Sequence, residues 1–141
     1  MNTIQNKLIP ARFLSTLGHL IATAMVSYTK EDNIYAGLGN EPTEEEYLAA
    51  ESVLDSAINA AVACFLLDFV GMFAGFTLFN TRVNAFQIAV HVIGSIQVSL
   101  LITEAWDYRK LWYIVGFCNF TTAGVEVFMI LAIFILKTAL Y

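Results

Sequence analysis

Residues 57–79, AINAAVACFLLDFVGMFAGFTLF, carry a single charged side chain, Asp68. At this length a helix reaches about 35 Å, enough to cross the roughly 30 Å hydrocarbon layer of a bilayer. Three further stretches read the same way: 13–28 with His19 near its middle, 85–103 with no charge at all, and 111–136 with only Glu126. A soluble bundle would need a charged outer face on every helix, and these segments have none to give. The whole composition agrees, with 58% apolar and 13% charged residues in 141 and a mean hydropathy of +0.67, against about 45–50% and about 25% in soluble domains. The fold expected is therefore all-α: one integral membrane four-helix bundle filling residues 1–141. Its helices are expected over 12–29, 53–80, 85–104 and 110–137, with short connections and one longer acidic first loop over 30–52.

The connections 80–84 and 104–110 are short, which predicts that helices two, three and four are antiparallel neighbours. Within the first connection Pro42-Thr43-Glu44-Glu45-Glu46 reads as a helix start, with Thr43 as cap and Glu46 completing a capping box. A helix running unbroken from there to Phe79 would be about 55 Å long, so it must project from the membrane or bend. The N-terminal stretch, with Lys7 and Arg12 before an apolar run and Ala22-Thr23-Ala24 after it, has features of a cleaved signal. The apolar character continues to Val26 and His19 interrupts the run, so it is read as the first span.

Charge sets the expected orientation. The side holding the termini and the middle connection carries Lys7, Arg12, Arg82 and Lys137 and no acid. The opposite side carries Lys30, Arg109 and Lys110 with Glu31, Asp32, Glu41, Glu44, Glu45, Glu46, Glu51, Asp55, Glu104 and Asp107. The Lys/Arg asymmetry puts both termini in the cytosol. Tyr28, Tyr35, Tyr47, Trp106, Tyr108, Trp112 and Tyr113 fall on the acidic side, as an interfacial aromatic belt would.

Helical spacing sorts the remaining residues. Ala57, Ala61, Cys64, Asp68, Gly71 and Gly75 form one small-residue stripe on helix two, and Gly71 with Gly75 makes a GxxxG pair for close helix packing. Phe65, Phe69, Phe73 and Phe76 lie off that stripe and suit lipid. Helix four repeats the pattern with Gly116, Asn119, Ala123 and Glu126 inward and Phe117, Val125 and Phe128 outward. Helix one aligns Arg12, Ser15, Thr16, His19, Ala22, Thr23 and Ser27; helix three presents Gln87, His91, Gly94 and Gln97.

His19, Asp68, His91 and Glu126 thus become an intramembrane polar cluster, serving either helix packing or a proton path. An ionised carboxylate at that depth costs about 2.5–3.5 kcal/mol, so protonation or pairing with a histidine is expected. Packing is the favoured use, because the chain lacks the broken helices that mark transport sites. No Glu-x-x-His or His-Glu-x-x-His spacing offers a metal site, and Cys64 and Cys118 lie in apolar stretches rather than in a disulfide frame. No nucleophile has a base placed beside it, so no catalytic residue and no cofactor is expected, and no basic run offers a nucleic-acid surface. The sequon Asn119-Phe120-Thr121 lies inside a span, out of reach of glycosylation.

Pro10-Ala11-Arg12-Phe13-Leu14 with His19-Leu20, Asp32-Asn33-Ile34, Thr43-Glu44-Glu45-Glu46-Tyr47, Leu78-Phe79-Asn80-Thr81, His91, Trp112-Tyr113-Ile114, Phe117-Cys118 and Glu126 follow one another in an order that resembles the transmembrane protein 107 family. The likeness runs from Ile9 to Lys137. It implies a non-enzymatic four-span organiser of the ciliary transition zone that supports cilium assembly and the ciliary membrane diffusion barrier. It also implies partners among the Meckel syndrome and tectonic module, beside membrane lipids. Arg12, His19, Asn80, His91, Trp112 and Glu126 match family positions, and Asp68 falls where an acid is expected; homo- and hetero-oligomers both stay open. The rival from the residues alone is a proton- or ion-conducting protein, or an accessory subunit of a membrane complex, using Asp68, Glu126, His19 and His91.

Overall fold

The computed structural model describes residues 3–39 and 41–135. Four helices form a bundle: α1 Thr3–Leu38, α2 Glu44–Phe73, α3 Thr81–Thr103 and α4 Lys110–Ile135, the last with a π-helical segment Val115–Asn119. All four are long and apolar enough to cross a membrane, and no strand occurs among the described residues. The expected end of the fourth helix at 137, with Lys137, lies outside those residues.

Helix boundaries differ from the expected ones where charge or glycine decides them. The stretch read as an acidic loop over 30–52 is almost wholly helical, and only residues 39–43 connect α1 to α2. The acids are compatible with helix because Glu44, Glu45 and Glu46 occupy the first turn of α2, the positive end of its dipole. Thr43 Oγ1 accepts from Glu46 N at 3.3 Å and Glu46 Oε2 accepts from Thr43 N at 2.9 Å, the reciprocal capping box. Lys30 of α1 pairs across with Glu51 and Asp55 of α2. At the other end α2 stops at Phe73, short of residue 80, because Gly75 takes φ +80° and its N–H bonds Met72 O at 3.2 Å. The long second helix therefore projects on the loop side and ends early on the terminal side.

Around the bundle the order is α1, α2, α4, α3. α1 packs most extensively on α3, which runs parallel to it, while α2 packs on α1 and α4. α2 and α3 are antiparallel, yet they stand diagonally and do not pack backbone to backbone, so the expected adjacency is corrected. The short connection still suffices because residues 74–80, at roughly 3.3 Å each, reach across the bundle end. α1 and α4 occupy the other diagonal.

The core changes character along the bundle axis. On the loop side it is apolar: Val26, Ile34, Leu54, Ala57, Ala61, Val98, Leu101, Leu111 and Val115 are almost fully enclosed. On the terminal side it is polar. Phe73, Phe117, Phe128 and Phe134 face outward, as lipid-facing aromatics do, whereas Phe65 is buried, contrary to its expected lipid face. It packs against the rings of both His19 and His91, with ring centroids 4.9 and 5.8 Å away. Tyr108, expected in the aromatic belt, is buried and packs over Gly37, where an added Cβ would come within 2.7 Å of its ring.

Candidate functional site

The polar half of the core is built around Arg12. α1 carries it inward one helical turn before Thr16 and two before His19, so all three share the face turned to α3. Its guanidinium is 1% exposed and spans the α1–α4 diagonal to pair with Glu126, which is fully enclosed. Arg12 Nη1 also donates to Thr77 Oγ1 at 2.9 Å and to Asn84 Oδ1 at 2.8 Å. Thr77, in the connection after α2, donates to the Glu126 carboxylate at 3.0 Å, and Gln87 Nε2 donates to Glu126 Oε1 at 3.1 Å. Asn84 Nδ2 in turn donates to Leu78 O at 2.6 Å, pinning the connection over the network. Both charges are thus compensated, which is what makes them tolerable at this depth.

The second diagonal, α2 to α3, is spanned by Asp68 and His91. Asp68 Oδ2 lies 3.4 Å from His91 Nε2 and accepts from Thr122 Oγ1 at 2.9 Å. His91 Nδ1 is 3.2 Å from His19 Nδ1, so the two rings share a proton between these nitrogens when one is the donor tautomer. Polar side chains therefore bridge both pairs of helices whose backbones stand apart. His19 Nε2, Asp68 Oδ1, Gln87 Oε1, Asn119 Nδ2 and His91 Nε2, the last despite its approach to Asp68, make no hydrogen bond among the described residues.

All four members of the expected cluster, His19, Asp68, His91 and Glu126, lie in this core, but their pairing differs. Asp68 meets a histidine, whereas Glu126 meets Arg12, which the sequence aligns with helix one's polar face but counts as a terminal-side charge rather than as a cluster member. Sequence reasoning places Gln87 on the polar face of helix three without making it a site member, and misses Thr77, Asn84 and Thr122. Their signal was present: Asn84, Gln87, His91 and Gly94 repeat at three- and four-residue intervals on α3, the same face rule that aligned helix one.

The small residues divide in the same way. Gly71 sits against the Glu126 carboxylate, where an added Cβ would overlap the Oε2 atom. Gly94 sits under the His19 ring, where a Cβ would overlap its Cε1. Asn119 and Ala123 are buried beside them. Gly75 and Gly116 are corrected as packing residues, since a Cβ on either meets nothing within 4 Å. Gly75 lies past the end of α2, and the extra residue of the π-turn shifts the phase of α4 so that Gly116 falls off the inner stripe. With Gly71 occupied from inside, the GxxxG pair is not a face for a second copy.

On the loop side Asn33 clamps the α3–α4 turn, its Nδ2 donating to Leu101 O at 2.8 Å and Trp106 O at 2.7 Å. Asp107 beside the Arg109 guanidinium raises its pKa and keeps it charged. Among the described residues no group of three His, Cys, Asp or Glu is placed to hold a metal ion.

A profile for the family TMEM107, described as "Transmembrane protein", matches residues 8–130. The chain belongs to the transmembrane protein 107 family. Among its relatives, Transmembrane protein 107 of Rattus norvegicus is 33% identical over 130 residues, covering 92% of this chain and 93% of its own. Transmembrane protein 107 of Homo sapiens is 31% identical with the same coverage, and that of Danio rerio 28% over 125 residues, 89% of this chain and 93% of its own. No solved structure matches the chain. The matched span contains the entire polar core, from Arg12 to Glu126, so the family's integral membrane character and this network occupy the same residues.

Proposed function

We propose that this chain is a non-enzymatic structural and interaction component of the ciliary transition zone, supporting cilium assembly and the ciliary membrane diffusion barrier. Its termini face the cytosol. It meets the Meckel syndrome and tectonic module through lipid-exposed helix faces and the acidic α1–α2 hairpin. Family membership and the motif order over residues 9–137 support this reading. The observation that carries it is the Arg12–Glu126 network, whose charges and hydrogen bonds are spent on one another, at 0–1% exposure, to hold four helices together. A tagged chain expressed in ciliated cells is expected to concentrate at the ciliary base, and mild-detergent purification to recover transition-zone membrane proteins. Even labelling of the plasma membrane or an internal organelle would defeat the proposal.

One observation favours a second reading, proton movement. Glu126, Gln87, Thr122, Asp68, His91 and His19 form a continuous line of polar groups through the terminal half. Above it the enclosed Val26, Ala61, Val98 and Leu101 offer a proton no carrier. In liposomes with an imposed pH gradient, flux that disappears in Asp68→Asn would favour conduction; the structural reading expects no flux in either protein.

A further inference from the structure

On the terminal side two grooves open to the lipid-facing surface. One, of about 330 Å³, is lined by the apolar side chains Ile9, Pro10, Phe13, Met72, Phe73 and Leu78. The other, of about 260 Å³, lies between α3 and α4 and is lined by Val83, Phe86 and Val125, with Arg82 at its end. They differ in the basic residue at the second, whose aliphatic stem lines the groove. Arg82 is exposed and makes no ion pair among the described residues, and the acid of this half of the bundle nearest in kind, Glu126, is already committed to Arg12.

Position gives the charge meaning. Arg82 is the second residue of α3, a 23-residue helix of about 35 Å, so it lies at headgroup depth while Phe86 sits one turn deeper in the hydrocarbon. The Arg82 side chain is exposed, while Asn80 Oδ1 caps the helix start by accepting from the Arg82 and Val83 backbone N–H groups at 3.1 Å. What remains is an exposed forked donor of fixed charge beside a shallow groove of aliphatic and aromatic surface.

The geometry points to a binding site for a phospholipid with a net negative headgroup. One acyl chain lies along Val83, Phe86 and Val125, and the headgroup phosphate takes paired N–H donors from Arg82. A zwitterionic lipid fills the same groove but brings its own cation against Arg82, so selection rests on headgroup charge and retention rests on the groove. A single surface cation gives about fivefold preference, the ratio that corresponds to about 1 kcal/mol per basic residue. The inference is independent of the ciliary reading, since it concerns only what this face binds.

The test is native mass spectrometry of the full chain released from micelles holding equal amounts of phosphatidylserine and phosphatidylcholine. The wild type is expected to retain phosphatidylserine about fivefold over phosphatidylcholine. Arg82→Gln should keep a bound lipid and lose the preference, and Arg82→Lys should keep most of it. Val125→Trp, which fills the groove, should lose the retained lipid; Val83→Trp replaces it if that variant is not monodisperse. Leu78→Trp fills the other groove and should change neither quantity. A preference unchanged in Arg82→Gln, lipid retention unchanged in the groove-filling variant, or a polypeptide occupying the groove in place of lipid would each overturn the assignment.

Discussion

The two halves of this bundle are held by different physics. On the loop side Leu54, Ala57, Ala61, Val98, Leu101 and Val115 fill the space between helices, and contact is short-range and graded with volume. On the terminal side Arg12, Asp68, His91 and Glu126 reach across the diagonals, and contact depends on matched charge and direction. In a bilayer the tails are as apolar as leucine, so apolar packing alone chooses weakly among helix rotations. A buried ion pair chooses strongly, because any rotation that separates Arg12 from Glu126 leaves two unpaired charges in hydrocarbon. The apolar half supplies closeness, and the polar half supplies register.

If that division is right, removing one charge should do more harm than removing any one apolar side chain. Arg12→Met leaves Glu126 enclosed without its ionic partner, and is expected to cost about 3–5 kcal/mol. Arg12→Met combined with Glu126→Gln should recover part of that loss, because no naked charge remains. Cys64 and Cys118 are free and buried, so heat-dependent labelling of their thiols in detergent reads the unfolding midpoint directly. Equal damage from Arg12→Met and from a surface change such as Tyr28→Phe would break the comparison.

In the apolar half, Leu101→Ala removes a fully enclosed side chain and should cost about 2–5 kcal/mol by the same labelling assay. The loss should shrink with partial refilling, so Leu101→Val is expected to fall between; an all-or-none response there would contradict graded packing.

Glycine substitutions sharpen the boundary between the halves. Gly71→Ala drives a methyl into the Glu126 carboxylate and should destabilise by about 1–3 kcal/mol. Gly75→Ala has open space but must hold φ +80°, at a cost of about 1–2 kcal/mol. Gly116→Ala, with open space and ordinary backbone, should stay within about 0.5 kcal/mol. A thermal shift for Gly116→Ala as large as for Gly71→Ala would show that the stripe continues through the π-turn after all.

The smallest effect is expected farthest from both cores. Thr43→Ala removes the cap of α2 and should cost about 1 kcal/mol, seen as faster amide exchange in the first turn of α2 with the midpoint of the bundle nearly unchanged.

Much of this was legible in the residues. Long apolar runs announced four helices, Thr43 and Glu46 announced the start of α2, and the alternating four- and three-residue spacing of Ala57, Ala61, Cys64 and Asp68 announced its inner face. Each of these depends on neighbours within one or two turns. The pairing of Glu126 with Arg12 was not legible, because they are 114 residues apart and meet across a diagonal that short connections gave no reason to expect. Arg12 also looked like a flanking charge, since a basic residue at the start of a span ordinarily reaches toward the interface. The burial of Phe65 was not legible for a related reason: it lies one residue beyond the stripe, and only its packing against the His19 and His91 rings, brought in by α1 and α3, encloses it.

By itself, then, the sequence determined that the chain spans a membrane, how many times, and which face of most helices turns inward. These are local matters of transfer free energy and helical periodicity, fixed by residues close in the chain. Only the tertiary structure decided which helices stand side by side, which acid meets which base, and which glycine is a contact and which a turn. Those outcomes depend on where a side chain's reach ends in space, and the terminal half is polar because Arg12 and Glu126 are each long enough to meet at the centre.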